Sequence, residues 1–324
     1  MSEIYTDAKS ENVSREISVE LHYYLKDQSH LLDAFVVNRS QFEFLHLANE
    51  IAKALDVSLQ MEIYPLEEGG IRQYFCFKDK GVRVGVSVAV VSMVLSTFIS
   101  NPISQITGEW AKKMFEDRTL LELQRENLRL QNTNLKLDAK LKEIALEKNQ
   151  KALIHKSRFY KALQTSPKIE KVSIRSISSN KTEIFPERVV LYQDFPEYII
   201  DSNALPPLDD ENADIEIISP VLKQGNYKWR GVYKNVVISF GMKSAEFKRK
   251  VLSGEINFKN GFSIKCSLRI QRILDENGEE KIHNYCVTRV DSYFVNDSPV
   301  ETDEGKMKRL AIKNDELQLR LPLE

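Results

Sequence analysis

The longest apolar stretch of the chain runs from Val84 to Gly108, where 25 consecutive residues carry no charged side chain. A helix needs about 20 such residues to cross the hydrocarbon core of a bilayer. On a helix, the small residues of this stretch would form one stripe that lets other helices approach closely. That stripe contains Gly85, Ala89, Ser92, Ser96, Ser100 and Ser104. The pattern favours a membrane or re-entrant segment over residues 82–108, with Ser92, Ser96 and Ser100 at a helix contact or a pore.

The same stretch admits a second interpretation as a strand. Every second residue from Val82 to Val90 is valine, and smaller or polar residues lie between them. This period of two is typical of a strand. It would give a buried strand followed by a short core helix, interrupted at Asn101–Pro102.

Residues 109–165 have the period of a long amphipathic helix with coiled-coil character. Heptad a positions hold Leu120, Asn127, Asn134 and Leu141, and d positions hold Leu123, Leu130, Leu137 and Ile144. A further leucine row follows Leu121, Leu128 and Leu135. Two leucine rows beside a polar row indicate a helix with two neighbours, so we expect a homo-oligomer, a tetramer, with Asn127 and Asn134 at its axis. An intramolecular helical hairpin is the alternative.

The flanking regions alternate in the manner of strands. Residues 15–80 predict a small α+β domain, and residues 168–294 predict a β-rich domain with turns at Asn260–Gly261 and Asn277–Gly278. Residues 1–14 predict a disordered start, and residues 295–324 a charged tail. The predicted fold class is therefore α+β: a small α+β domain, one hydrophobic segment, an oligomerising long helix and a C-terminal β-rich domain.

Motifs for catalysis are missing from the sequence. It contains no Walker A, GxGxxG, HExxH or GxSxG motif, and its 3 cysteines form no CxxC pair. The acidic residues between Asp209 and Glu216 are more typical of a solvated linker than of a metal site. We therefore expect no enzyme activity, no cofactor and no metal. The polar and acidic first residues argue against a secretory signal.

The charge changes sign within the C-terminal region. Residues 168–218 carry 5 basic and 11 acidic side chains, whereas residues 219–293 carry 14 basic and 7 acidic side chains. Basic residues alternate with aromatic or apolar ones near residue 229 and along 262–274. Strands with basic faces and nearby aromatic rings can bind phosphates and stack bases. The candidate ligand-binding residues are Lys228, Trp229, Arg230, Lys265 and Arg269; an ordinary solvated sheet face is the alternative.

The order of these parts over residues 15–293 resembles the membrane effectors of bacterial anti-phage defence, most of all the effector of Hailong-type systems. The resemblance implies an ion channel that acts in abortive infection. It also implies control by a nucleotide or oligonucleotide that a partner nucleotidyltransferase makes.

From these patterns we expect an oligomeric membrane effector whose hydrophobic segment forms or gates a pore under the control of an anionic ligand. It would contact membrane lipid in the bacterial inner membrane, with its soluble domains in the cytoplasm. The alternative is a soluble coiled-coil scaffold or interaction protein, cytoplasmic, with the hydrophobic segment buried in its core.

Overall fold

A computed structural model describes residues 16–27, 31–55, 57–64, 71–79, 88–106, 150–177, 182–295 and 298–318. The chain forms two compact units, Met1–Ser202 and Asn203–Glu324. The sequence placed a domain boundary near residue 168, and the structure places it at Ser202 instead. The reason is that two strands after residue 168 pair with the N-terminal sheet.

The first unit is built on a five-stranded antiparallel sheet in the order β2-β3-β1-β4-β5. Its strands are β1 (Glu16–Leu25), β2 (Leu59–Ile63), β3 (Ile71–Asp79), β4 (Ile169–Ile177) and β5 (Glu183–Leu191). The apolar side chains of β1 alternate with polar ones, so one face of the sheet is buried under helices.

Three α-helices contribute to this core: α1 (Ala34–Ala54), α2 (Val88–Ser100) and α3 (Gln150–Gln164). Short 3₁₀ helices lie at Ile103–Gln105 and Tyr192–Tyr198. Asp33 begins α1, because its carboxylate accepts hydrogen bonds from the backbone N–H groups of Phe35 and Val36. Phe44 of α1 packs against Phe159 of α3, with their ring centroids 6.4 Å apart.

The described part of the predicted membrane segment, residues 88–106, contains a core helix, which corrects that prediction. All side chains from Val88 to Ile99 are buried within the first unit. The helix has 13 residues and ends at Ser100, shortly before Pro102, and a helix of this length spans about 20 Å at 1.5 Å per residue. None of the helices in the described ranges combines the length and the hydropathy that a bilayer crossing requires.

Three buried side chains cap the carboxyl end of α2. Lys156 Nζ donates to the carbonyl oxygen of Phe98 at 2.8 Å and also to that of Asn101. Tyr160 donates its hydroxyl to the carbonyl of Ile99 at 2.8 Å, and Tyr198 donates to that of Ser100 at 3.1 Å. The last carbonyls of a helix have no partner within the helix, so these side chains fix where α2 ends.

The predicted long oligomerising helix is likewise corrected. Among the residues that the structure describes, no long helix of that kind is evident; of residues 109–165, only 150–165 are described, and they contain α3. Its buried side chains, including Phe159, Tyr160 and Leu163, belong to the core of the first unit. An apolar face that packs inside its own unit is not available for an oligomer. Asn127 and Asn134 lie outside the described residues, as do residues 1–14, and the predictions for them stay untested.

The second unit contains a closed five-stranded barrel in which β10 pairs with both β8 and β9. Its strands are β6 (Ala204–Ser219), β7 (Trp229–Tyr233), β8 (Val236–Met242), β9 (Ser263–Leu274) and β10 (Glu280–Val295). β8 and β10 are parallel, and the other neighbours are antiparallel. The fourth strand returns beside the first, which is a Greek key.

Helix α4 (Ala245–Leu252) lies between β8 and β9, and the chain continues through β11 (Ser298–Glu301) to α5 (Asp303–Gln318). Ser244 begins α4 by accepting a hydrogen bond from the N–H of Phe247. The predicted turns are confirmed at Gly261 and Gly278, which have φ values of 77° and 78°. Apolar side chains from all five barrel strands and from α4 form the core, in which the ring centroids of Trp229 and Phe247 are 6.0 Å apart.

Candidate nucleic-acid interface

Two exposed basic side chains lie on the outer face of β7 and at the residue just before it. Trp229 and Gly231 are buried, whereas Lys228 and Arg230 are exposed, because successive residues of a strand point to opposite faces. Gly231 is required inside the barrel, since a Cβ there would lie 2.6 Å from the carbonyl oxygen of Glu216. Because Trp229 and Gly231 are fixed in the core, Lys228 and Arg230 are held on the outside of the barrel.

The neighbouring strand β8 continues this face with small side chains. Arg230 is in register with Ser239, which is exposed. Extending the same register places Lys228 beside Gly241, where an added Cβ would meet only Cys286 Sγ, at 3.9 Å. Lys243 follows two residues later and is exposed. The basic side chains thus border a shallow, open strip of backbone.

The loop of residues 220–228 leads into β7 and is anchored at several points. Val221 packs against the barrel core. On the other side, Lys248 of α4 donates from Nζ to the carbonyl oxygen of Gly225 at 3.1 Å. The loop also exposes Lys223 and Tyr227. These contacts give the loop a defined position next to the basic residues of β7.

Three of the acidic side chains of β6 form ion pairs with other side chains of the barrel. Asp209 accepts two hydrogen bonds from Arg269, at 2.8 and 3.0 Å, and this guanidinium lowers the pKa of the Asp209 carboxyl. Glu211 pairs with Arg289 at 2.7 Å. Asp210 accepts a 2.6 Å hydrogen bond from Tyr233, which lowers its pKa. These three carboxylates are thus part of the barrel's ion-pair network, whereas Asp214 and Glu216 form no ion pair among the described residues.

A second group of cations is not neutralised in this way. Within the described ranges, no acidic side chain forms an ion pair with Lys223, Lys228, Arg230 or Lys243, nor with Arg249 or Lys259. Four of these cations lie close together along the chain or across the β7–β8 pair: Lys223 and Lys228 in the loop, Arg230 on β7 and Lys243 just after β8. They leave a local excess of positive charge on a barrel whose other cations are largely paired.

The structure separates the predicted ligand-binding residues. Lys228 and Arg230 lie together and exposed, as described above. Trp229 is only 1% exposed, so it cannot stack on a base. Arg269 is held by Asp209, and exposed Lys265 lies with its Nζ 5.8 Å from the centre of the Phe294 ring on a different part of the barrel wall.

The predicted pore residues instead bond to their own helix. Ser92 Oγ donates to the carbonyl of Ala89 at 2.9 Å, and Ser96 Oγ donates to that of Met93 at 3.0 Å. Ser100 Oγ donates to the carbonyl of Ser96 at 2.7 Å. Ser92 and Ser96 are buried in the first unit.

Another polar cluster covers the face of the first sheet that lies away from the helices. Glu20 is 2% exposed and binds Arg175, with a shortest distance of 2.6 Å. Burial, followed by the charge of Arg72, lowers the pKa of nearby His22 to about 4. Anions and cations balance here, so the cluster offers no excess charge to a ligand. Among the described residues, no group of three or more His, Cys, Asp or Glu side chains is placed to hold a metal ion.

Comparison with protein-family models, with curated proteins and with solved structures gives no match to this chain.

Proposed function

We propose that the barrel of the second unit binds single-stranded nucleic acid through the β7–β8 outer face and the loop of residues 220–228. The observation that carries the proposal is the unpaired state of Lys228 and Arg230, on a barrel where Asp209, Asp210 and Glu211 of β6 pair with other cations. Phosphates supply most of the affinity in non-specific nucleic-acid binding, and lysine and arginine are the side chains that contact them.

The topology supports the same proposal by analogy. Five-stranded Greek-key barrels of the OB class bind oligonucleotides on the face of their second and third strands and on the adjoining loops. Here those strands are β7 and β8, and the loop between the first two strands is residues 220–228. A shared topology does not by itself establish a function, so the charge distribution carries the argument.

A single strand fits this surface better than a duplex does. Duplex readers insert a helix or a two-stranded ribbon into a groove. On β7 and β8 the charges instead lie along a sheet face and one loop, which suits a flexible backbone that can follow them. The proposed ligand is therefore an oligonucleotide or a single-stranded stretch of a longer nucleic acid.

The remaining expectations from the sequence are not needed for this binding. The membrane pore, the anti-phage role, the partner nucleotidyltransferase and the lack of enzyme activity stay predictions. The scaffold alternative requires a buried hydrophobic segment, and the burial of α2 agrees with that requirement. Its coiled coil falls largely on residues 107–149, outside the described residues.

The test is a salt titration of oligonucleotide binding by the full chain, followed by fluorescence anisotropy with a labelled 20-nucleotide thymidine strand. We expect affinity to fall steeply as salt rises. Each lost phosphate contact reduces the slope of log K against log salt by roughly 0.7 for single strands. The double variant Lys228→Gln/Arg230→Gln should therefore bind more weakly, with a slope smaller by about 1.4.

The matched control is Lys306→Gln/Arg309→Gln, which removes the same charge from α5. These two side chains already pair with Asp303 at 3.1 Å and with Glu301 at 3.0 Å. The control should bind like the wild type. If the wild type does not bind at low salt, or if both double variants weaken binding equally, the proposal is wrong.

A further inference from the structure

The loop of residues 220–228 exposes the aromatic ring of Tyr227. Tyr227 is 54% exposed, whereas Trp229, two residues later, is 1% exposed. Of the described Phe, Tyr and Trp side chains in the second unit, Tyr227 alone is exposed. The ring immediately precedes Lys228 and lies three residues before Arg230.

The ring is held in place by the residue that it packs against. A Cβ added to Gly225 would lie 2.7 Å from Cε2 of Tyr227 and 3.0 Å from Cδ2. Gly225 also has a φ of 146°, which side-chain-bearing residues rarely adopt. The contact therefore requires glycine for two independent reasons, and Lys248 fixes the carbonyl of the same residue from α4.

We propose that Tyr227 is a base-stacking residue, and that a nucleobase lies on its ring while Lys228 and Arg230 hold the adjoining phosphates. This inference rests on the proposed nucleic-acid binding of the barrel. A ring that is already positioned loses little side-chain freedom when a base stacks on it. Stacking on an aromatic side chain contributes about 1–3 kcal/mol per base, irrespective of the base.

The experiment compares two ligands of equal length and charge, a 20-nucleotide thymidine strand and the corresponding abasic phosphodiester strand. The wild type should prefer the thymidine strand by roughly 5- to 150-fold, the range that corresponds to one stacked base. Tyr227→Phe should keep this preference. Tyr227→Leu, which retains an apolar side chain without the aromatic ring, should lose most of it and bind the abasic strand as the wild type does.

A second variant tests the positioning of the ring without removing it. Gly225→Ala should displace Tyr227 and reduce the preference for bases at least several-fold, while binding to the abasic strand persists. If Tyr227→Leu retains the wild-type preference, the stacking role is wrong. If the wild type binds both strands equally, stacking is wrong while phosphate binding stands; if it binds neither, nucleic-acid binding itself fails.

Discussion

At the scale of residues, strand alternation decides which side chains can reach a ligand. Lys228, Trp229 and Arg230 are adjacent in sequence and formed one predicted cluster. Because β7 alternates, the two cations point outward and the indole points into the core. The basic residues could be predicted from the sequence, but the sequence could not tell which nearby aromatic ring is exposed: Tyr227 is 54% exposed and Trp229 is 1% exposed.

Lys156 is the residue whose environment departs furthest from expectation. It is fully buried, and within the described ranges no carboxylate pairs with it. Burial lowers the pKa of its ammonium group well below the ordinary value of 10.5. Its partners are backbone carbonyls at the end of α2 and the rings of Phe98 and Tyr198, at 5.0 and 5.2 Å. They favour the charged form, but for a group this deep the cost of desolvation is larger.

This depressed pKa predicts a dependence of stability on pH. Between the folded pKa of Lys156 and 10.5, the unfolded chain binds a proton that the folded chain does not, so stability should rise with pH. The contribution reaches at most about 1.4 kcal/mol per pH unit. Urea unfolding measured at increasing pH values below 10.5 should show this rise in the wild type and a smaller one in Lys156→Met. Equal slopes for the two proteins would contradict the assignment.

At the scale of elements, the hydrophobic segment shows what a run of uncharged residues can and cannot predict about the surroundings of those residues. An uncharged run predicts burial, and both lipid and a protein core provide it. The strand interpretation does not hold from Val88 onward, where the chain is helical. The choice between lipid and core depends on the rest of the unit: the sheet and α1 supply an apolar surface, and α3 and Tyr198 supply the side chains that cap the carboxyl end of α2. Those partners are distant in sequence, so the periodicity of the segment could not reveal them.

Replacing a buried residue of α2 with a charged one should therefore unfold the protein. Val90 is 2% exposed, and Val90→Asp places an unpaired carboxylate in the core, with an expected loss of at least about 3 kcal/mol. The control is Phe35→Asp on α1, since Phe35 is 84% exposed and should change stability by less than about 0.5 kcal/mol. Urea unfolding of the purified variants measures both. A Val90→Asp variant as stable as the wild type would show that α2 is not part of the core.

At the scale of the whole molecule, the sequence predicted local features better than long-range pairing. It predicted the β-rich character after residue 168 and the turns at Gly261 and Gly278. It did not predict that β4 joins β1, because their paired residues, such as His22 and Ser173, are about 150 positions apart. The parallel pairing of β8 with β10 is likewise non-local. The sequence also revealed the excess of positive charge after residue 219, while ion pairing within the barrel determines which of those cations are available.

The most direct test of nucleic-acid binding by the barrel is lysine footprinting of the full chain, with acetylation measured by mass spectrometry with and without the thymidine strand. The account predicts that the strand protects Lys223 and Lys228 several-fold. It predicts no change at Lys281 and Lys306, which are exposed but paired with Asp275 and Asp303. Protection that omits Lys228, or that is equal at all four lysines, would contradict a binding surface on β7 and its preceding loop.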